Sequence, residues 1–200
     1  MRRTLSAVVT GLVVITGAAA CSSSSGSSGA SHSSSSSTAT PPKEVNPAGD
    51  IPDNQVYVAW SPSGGGYTVK VPEGWARQQV GRATVFSDKF NSVRIDRSAV
   101  NKAPTVRSVR SVDLPAIRRS AKNVVVGDVS TVKRAGGTAV LATYRADSAP
   151  DQVTGKSVRQ DVQRYVFWRN GSQVVLTLSG AVGADNVDPW HIVTDSFRWA

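Results

Sequence analysis

Several short runs of the chain alternate between hydrophobic and polar positions, which is the pattern of β-strands with one buried face. In residues 67–71 an apolar side chain recurs at every second position, and Pro72, Glu73 and Gly74 then form a turn signal. Similar patterns predict strands at residues 83–87, 92–97, 124–133, 138–145, 156–169 and 173–179. Asn170 and Gly171 separate the last two runs, and an Asn-Gly pair is the strongest short signal for a β-hairpin. The pattern therefore predicts an antiparallel sheet.

One internal segment, residues 106–122, has the periodicity of a helix. Leu114 and Ile117 fall at helical spacing. Asp113 fits the N-cap position, and Pro115 fits the first turn, where its missing N–H costs no hydrogen bond. We therefore expect a helix within residues 106–122, with Asp113 as its N-cap.

The end of the chain predicts a second helix. Asp188 is the expected N-cap and Pro189 the expected first helical residue. Trp190, Val193 and Phe197 then share one face. Hairpin-linked strands with a central and a terminal helix indicate an α+β fold, in which an antiparallel β-sheet is flanked by helices.

The beginning of the chain has the pattern of an export leader. Arg2 and Arg3 precede residues 5–20, sixteen positions without a charge, and small residues close the run. A membrane-spanning helix needs roughly 20 apolar residues, so this run is short for an anchor. A basic start, a short apolar run and a small-residue exit predict that residues 1–20 are a signal peptide.

Two processing routes compete at the exit of this leader. Ala18 and Ala20 satisfy ordinary signal peptidase, which would leave Cys21 as a free thiol. The run Ala18-Ala19-Ala20-Cys21 also resembles the bacterial lipobox, although Ala18 stands where the usual lipobox has Leu. Cys21 is the only cysteine, and an exposed unpaired thiol is reactive in an oxidising compartment. We therefore expect Cys21 to carry the fatty chains of a lipoprotein.

The residues after Cys21 predict a flexible spacer. Residues 22–42 are nearly all Ser, Gly, Ala, Thr and Pro, and such a segment cannot bury enough apolar surface to become ordered. A spacer of about 25 residues reaches about 28 Å. The predicted organisation is a signal peptide (1–20), a lipidated cysteine with a disordered tether (21–48) and a single α+β domain (49–200). Since two acyl chains hold a protein stably, we expect it at the extracytoplasmic face of the cell membrane.

Composition fits this organisation and adds a positive charge. The 200 residues are 40% hydrophobic and 18% charged, with a formal net charge of +9, or +7 without Arg2 and Arg3 (9 − 2). These proportions argue against a wholly disordered chain and against a membrane bundle. The densest basic segment has two interpretations. It is either a solvated face without a partner or a binding surface for acidic envelope polymers or anionic lipid, and it is the candidate binding surface of the sequence. Its residues are Arg107, Arg110, Arg118, Arg119 and Lys122. An exported protein seldom meets nucleic acid, so we expect no nucleic-acid partner.

The sequence offers few candidates for catalysis or metal binding. Asp185, Asn186 and Asp188 could supply oxygen ligands, but calcium needs six to eight oxygens and this loop lacks the usual glycine and terminal glutamate. Asp188 and His191 fall on one helix face, yet no nucleophile elbow or zinc motif accompanies them. We therefore expect no catalytic residues, no metal and no cofactor. The tryptophans are expected to pack in the core, with Trp60 the least certain.

Three stretches resemble actinobacterial lipoproteins of the LpqN type. They are YTVKVPEGW at residues 67–75, VVLTLSG after the Asn-Gly hairpin, and DNVDPWHIVTDSFRW at residues 185–199. The resemblance covers roughly residues 66–199. It implies the α/β/α sandwich of the PsbP protein of photosystem II, a non-catalytic fold that supports protein binding or scaffolding, with no shared catalytic residues.

Three functions are therefore compared. The first is a lipid-anchored module that binds an envelope or extracellular protein, and it predicts a filled core with an exposed apolar or basic patch. The second is a carrier of an apolar or lipid ligand between sheet and helix, which predicts a closed apolar cavity. The third is a hydrolase without a recognisable motif, which predicts a cleft of ionisable groups with perturbed pKa values.

Overall fold

The computed structural model describes residues 49–151 and 154–200, in which ten strands form two antiparallel sheets. The smaller sheet has the order β1-β2-β10, and the larger has the order β3-β4-β5-β9-β8-β7-β6. The smaller sheet consists of β1 (Tyr57–Trp60), β2 (Tyr67–Pro72) and β10 (Arg198–Trp199). The larger sheet consists of β3 (Ala76–Val80), β4 (Ala83–Asp88), β5 (Asn91–Ala99), β6 (Lys122–Arg134), β7 (Gly137–Asp147), β8 (Arg159–Arg169) and β9 (Ser172–Ala181).

The central strand β9 is apolar on both sides because both faces of the larger sheet are covered. Val174 and Leu176 point into a core shared with the smaller sheet and with the C-terminal helix α3 (Val187–Ser196). Val175, between them, joins a second core on the opposite face, under the internal helical segment. Side chains alternate across a strand, so this continuous apolar run requires a layer on each face. The predicted α+β sandwich, an antiparallel sheet flanked by helices, is confirmed.

The hairpin between β8 and β9 forms where it was predicted. Asn170 and Gly171 both have positive φ, at 47° and 79°, which is the backbone of a tight turn that matches strand twist. Strand β8 begins at Arg159, later than the predicted residue 156.

The internal helical segment, which we call the covering helix, has an interruption that its proline explains. It consists of α1 (Val106–Ser108), a π-helical turn (Val109–Asp113) and α2 (Leu114–Ser120). In the π turn the N–H of Leu114 bonds five residues back, to the Val109 carbonyl. Pro115 follows directly. Its nitrogen carries no hydrogen for the regular helical hydrogen bond, and the wider π turn accommodates the proline where a regular α-helix would be disrupted.

The N-cap predicted for this helix is wrong. Thr105 caps it instead, in a capping box in which the Thr105 and Ser108 side chains each accept a backbone N–H of the other residue. Asp113 has helical backbone angles and makes no capping hydrogen bond. Its carboxylate accepts a hydrogen bond from Arg164 of β8 at 3.3 Å, so it ties the helix to the sheet.

The cap predicted for α3 is also wrong. The N-cap is Asn186, which places Asp188 and Pro189 second and third in the helix. Asn186 makes no side-chain capping bond because its buried amide binds the start of the described chain. Asn186 Oδ1 accepts the N–H of Ile51 at 2.8 Å, and its Nδ2 donates to the Gly49 carbonyl. Residues 49–51 are thereby tied to the N-terminal end of α3.

Aromatic rings fill the core between the larger sheet and α3. Phe197 is fully buried, and its ring centroid lies 4.4 Å from that of Phe167 and 5.7 Å from that of Tyr67. Trp190 and Val193 of α3 belong to the same cluster. The predicted common face of Trp190, Val193 and Phe197 is thus confirmed.

Candidate binding surfaces

The predicted lipid-attachment residue, Cys21, lies outside the described residues, as do the leader and the tether. Lipidation and the division into residues 1–20, 21–48 and 49–200 therefore stay predictions. Among residues 49–151 and 154–200, every helix is too short or too polar to traverse a bilayer.

The five predicted basic residues are all exposed, at different places on and after the covering helix. Arg107 and Arg110 border a shallow surface depression together with Val106 and Ser111. Arg110 is 3.8 Å from the Asp128 carboxylate, which partly balances its charge. Arg118 and Arg119 lie in the last turn of α2, where a helix favours cations, and Lys122 begins β6. Their role in binding stays a prediction.

An open groove of about 490 Å³ lies between the N-terminal end of α3 and strands β6, β7 and β8; we call it the α3 groove. Trp190 lies against its floor and is only 7% exposed. Val187 and Val125 line it from opposite sides and are 67% and 58% exposed. Arg145 and Asp161, whose side chains form an ion pair at 2.7 Å, also line the groove. It therefore combines exposed apolar side chains with a charged pair.

The β6 backbone shapes the wall of this groove. The β6–β7 pairing shifts register between Val126 and Val129, at a β-bulge that contains Gly127. A Cβ on Gly127 would lie 2.6 Å from the Thr143 hydroxyl, which binds the bulge by accepting the Asp128 N–H. A glycine is thus required for the close approach of the two strands.

Burial raises the pKa of the Tyr144 hydroxyl in this groove, although the nearby Arg164 opposes the shift. A tyrosine with a raised pKa stays protonated at neutral pH and acts as a hydrogen-bonding group. The groove as a whole offers hydrogen bonds and apolar contacts.

A second groove, of about 790 Å³, lies between the β1–β2 loop and strands β3, β4 and β5. Three guanidinium groups line it, from Arg77, Arg82 and Arg97; we call it the arginine groove. Trp60 and Tyr67 form its aromatic side, and burial raises the pKa of Tyr67 to about 12, with Arg97 opposing the shift. The sequence reasoning missed this groove because its arginines are scattered over twenty residues and over three structural elements.

The loop before α3 has a structural role. The Asp185 N–H donates to the Asp50 carboxylate, and Asn186 binds the backbone of residues 49–51. Across residues 49–151 and 154–200, no three side chains of His, Cys, Asp or Glu come together as a metal site. Asp188 and His191 are both exposed.

The tryptophans pack as expected. Trp190 is buried, and Trp60, Trp75 and Trp199 are partly buried against the same core. Trp168 is partly buried, and its indole N–H donates to the Val100 carbonyl at 2.8 Å. Trp60, the least certain of the five, packs against the core and also lines the arginine groove.

Comparisons with known proteins identify the fold. The sequence matches no protein-family model and no curated protein. The cyanobacterial PsbP protein CyanoP from Synechocystis has a similar structure, with a TM-score of 0.54 and 16% identity over 76% of this chain and 98% of CyanoP. The Ran-binding protein Mog1p of Saccharomyces cerevisiae has a TM-score of 0.50 and 10% identity over 72% of this chain and 95% of Mog1p. LpqN of Mycobacterium tuberculosis, involved in cell envelope biogenesis, has a TM-score of 0.42 and 14% identity over 74% of this chain and 92% of LpqN. The described part of the chain has a PsbP-like fold.

Proposed function

We propose that this protein is a lipid-anchored lipoprotein of the cell envelope, of the LpqN type, whose folded part is a non-catalytic module that binds an envelope or extracellular protein. The leader and the lone Cys21 support the anchor. The DNVDPWHIVTDSFRW ending supports the LpqN type. The Ran-binding protein Mog1p has a similar structure, which supports a protein-binding use of this fold.

The observation that carries the binding role is the α3 groove. Protein interfaces combine an apolar centre with a polar rim. Here Val125 and Val187 are mostly exposed around the buried Trp190, and the Arg145–Asp161 pair supplies the polar part. The occupant that fits is a protein segment that places an apolar side chain between the two valines and pairs polar groups with Arg145 or Asp161.

The carrier hypothesis accounts for this groove less well. A stored lipid chain requires an enclosed apolar cavity, because a polar group left unpaired against it costs free energy. The α3 groove is open and contains a charged pair. A partner protein can satisfy such groups through hydrogen bonds at its own rim.

A photocrosslinking experiment in intact cells tests the proposal. The photoreactive residue p-benzoylphenylalanine replaces Val187 in the α3 groove or, as a control, Val112 on the covering helix. The two valines are almost equally exposed, at 67% and 64%, but lie in different layers. We expect one discrete protein adduct from position 187 and none of that mass from position 112.

A second substitution makes the test specific. Val125→Asp places a charge in the α3 groove and should abolish the adduct from position 187, whereas Val112→Asp should leave it unchanged. No adduct from position 187, or the same adduct from position 112, would refute the assignment of this groove as the docking site.

A further inference from the structure

Three arginines line the arginine groove, and no carboxylate is among its lining residues. Arg77 comes from β3, Arg97 from β5, and Arg82 from the turn between β3 and β4. Guanidinium groups repel one another, so a groove that gathers three of them without a counter-charge is suited to an anionic ligand.

Arg97 is held in place. Its Nη1 donates to the Gly65 carbonyl at 3.0 Å, and its Nε donates to the Ser172 hydroxyl at 3.3 Å. Gly66 has a φ of +93°, and a Cβ there would lie 2.6 Å from Arg97 Nη1. The guanidinium thus occupies space beside the Gly66 backbone that the side chain of any other residue would fill. Because Arg97 is already held there, it loses little side-chain entropy when it binds a ligand.

Arg77 and Arg82 supply free charge. Both are exposed, and within the described part of the chain the side chain of neither makes a hydrogen bond or an ion pair. Arg82 and Arg97 also line the adjoining depression at the Asn170-Gly171 turn, so the positive region continues along the strand ends of the larger sheet. One guanidinium group can donate two parallel hydrogen bonds to two oxygens of a phosphate or carboxylate group.

The rest of the groove combines an aromatic ring with hydroxyl groups. Trp60 lines it, is partly buried, and is fixed edge-on against Phe86, with ring centroids 5.4 Å apart. Its ring offers apolar surface against which the C–H groups of a sugar can pack. Ser61 and Ser63 line the same side and present hydroxyl groups. The volume, about 790 Å³, falls in the range of small-molecule sites and exceeds what a bare anion fills.

We propose that the arginine groove binds a phosphate ester of a sugar, with the phosphate on Arg77, Arg82 and Arg97 and the sugar ring against Trp60. A phosphate ester carries one to about two negative charges, which balances three arginines better than a single carboxylate does. This chemistry occurs in free sugar phosphates and in the sugar-phosphate repeats of polymers. The arginine groove and the α3 groove share no lining residue.

Calorimetric titration of the full chain, solubilised in a nonionic detergent, tests the proposal. The probes are glucose 1-phosphate, its methyl phosphodiester, inorganic phosphate, glucose and glucuronate. We expect both phosphate esters to bind at least tenfold more tightly than phosphate, glucose or glucuronate. Tighter binding of the monoester assigns the groove to free sugar phosphates, and tighter binding of the diester assigns it to a polymer.

Matched variants locate the site. Arg82→Gln, in an exposed turn, and Arg77→Gln should each weaken glucose 1-phosphate binding about tenfold, because a hydrogen bond to a charged group is lost. Lys133→Gln removes an exposed charge on β6, at the opposite edge of the larger sheet from β3, and should change it less than twofold. An absence of binding, equal binding of glucuronate, or an equal loss in Lys133→Gln would overturn the proposal.

Discussion

Replacement of Asn186 by alanine should destabilise the folded part far more than the loss of one exposed asparagine. Asn186 is 3% exposed, and its amide makes three hydrogen bonds. They join the Ile51 N–H, the Gly49 carbonyl and Asn91 Oδ1. In Asn186→Ala the Gly49 carbonyl keeps its hydrogen bond from Asn91 Nδ2 at 2.9 Å.

The other two partners, the Ile51 N–H and Asn91 Oδ1, lose the hydrogen bonds that they make with Asn186. A buried polar group without a partner costs about 1–3 kcal/mol, so two such groups cost about 4 kcal/mol. Natural domains are stable by only about 5–15 kcal/mol, so the change is a large fraction of the whole. Urea denaturation at 25 °C, followed by tryptophan fluorescence, measures it. Asn54→Ala, at an exposed turn position, is the control and should cost less than about 0.5 kcal/mol.

Two outcomes would refute the reasoning from orphaned polar groups. One is a cost below about 1 kcal/mol for Asn186→Ala, and the other is a cost for Asn54→Ala as large as that for Asn186→Ala.

Two further predictions follow from close contacts and from charge. In Gly136→Ala the new Cβ would lie 2.5 Å from the Phe197 carbonyl oxygen, so the free energy of unfolding should fall by about 1–3 kcal/mol in the urea assay. The control is Gly64→Ala, whose new Cβ would meet no atom within 4 Å and should leave the free energy of unfolding unchanged. A hydrogen bond from Asn123, and to a smaller extent one from Arg159, lowers the pKa of the Asp147 carboxyl group. The stability that Asp147 contributes is therefore present above its unfolded-state pKa and is lost as the pH falls through its folded-state pKa. Asn123→Gly, which suits the positive φ of this position, should raise the Asp147 pKa in a carbon-13 NMR titration; an unchanged value would contradict the assigned cause.

The sequence revealed those elements whose signals are local. The Asn170-Gly171 hairpin depends on two adjacent residues that accept positive φ, and the alternation of β2 depends on its own five or six side chains. Strand β3 gave no such signal because all its residues are exposed at the edge of the sheet. The two-residue strand β10 exists only through its pairing with β2.

Tertiary contacts explain why neither helix has the predicted cap. Asp113, the predicted cap of the covering helix, pairs with Arg164 of the sheet instead. Helix α3 begins after Asn186 and not after the predicted Asp188, and the Asn186 side chain binds Gly49 and Ile51. Those partners are 51 to 137 residues away in sequence, and local capping rules do not contain them.

The two grooves illustrate the same limit for binding sites. The densest run of basic residues drew attention to the covering helix, because charge density along a sequence is visible. The arginine groove depends on strand order, which brings Arg97 beside the turn that carries Arg82. The α3 groove likewise requires the β6 bulge and the position of α3, neither of which has a local signal.

Mass spectrometry of the mature amino terminus tests the central claim of a lipid-anchored protein most directly. The protein is purified from the membrane fraction of its native cells, and the terminal peptide is analysed. The account predicts Cys21 as the first residue, bearing a diacylglyceryl group on its sulfur. A terminal peptide with an unmodified thiol at Cys21, or one that still contains residues 1–20, would contradict it.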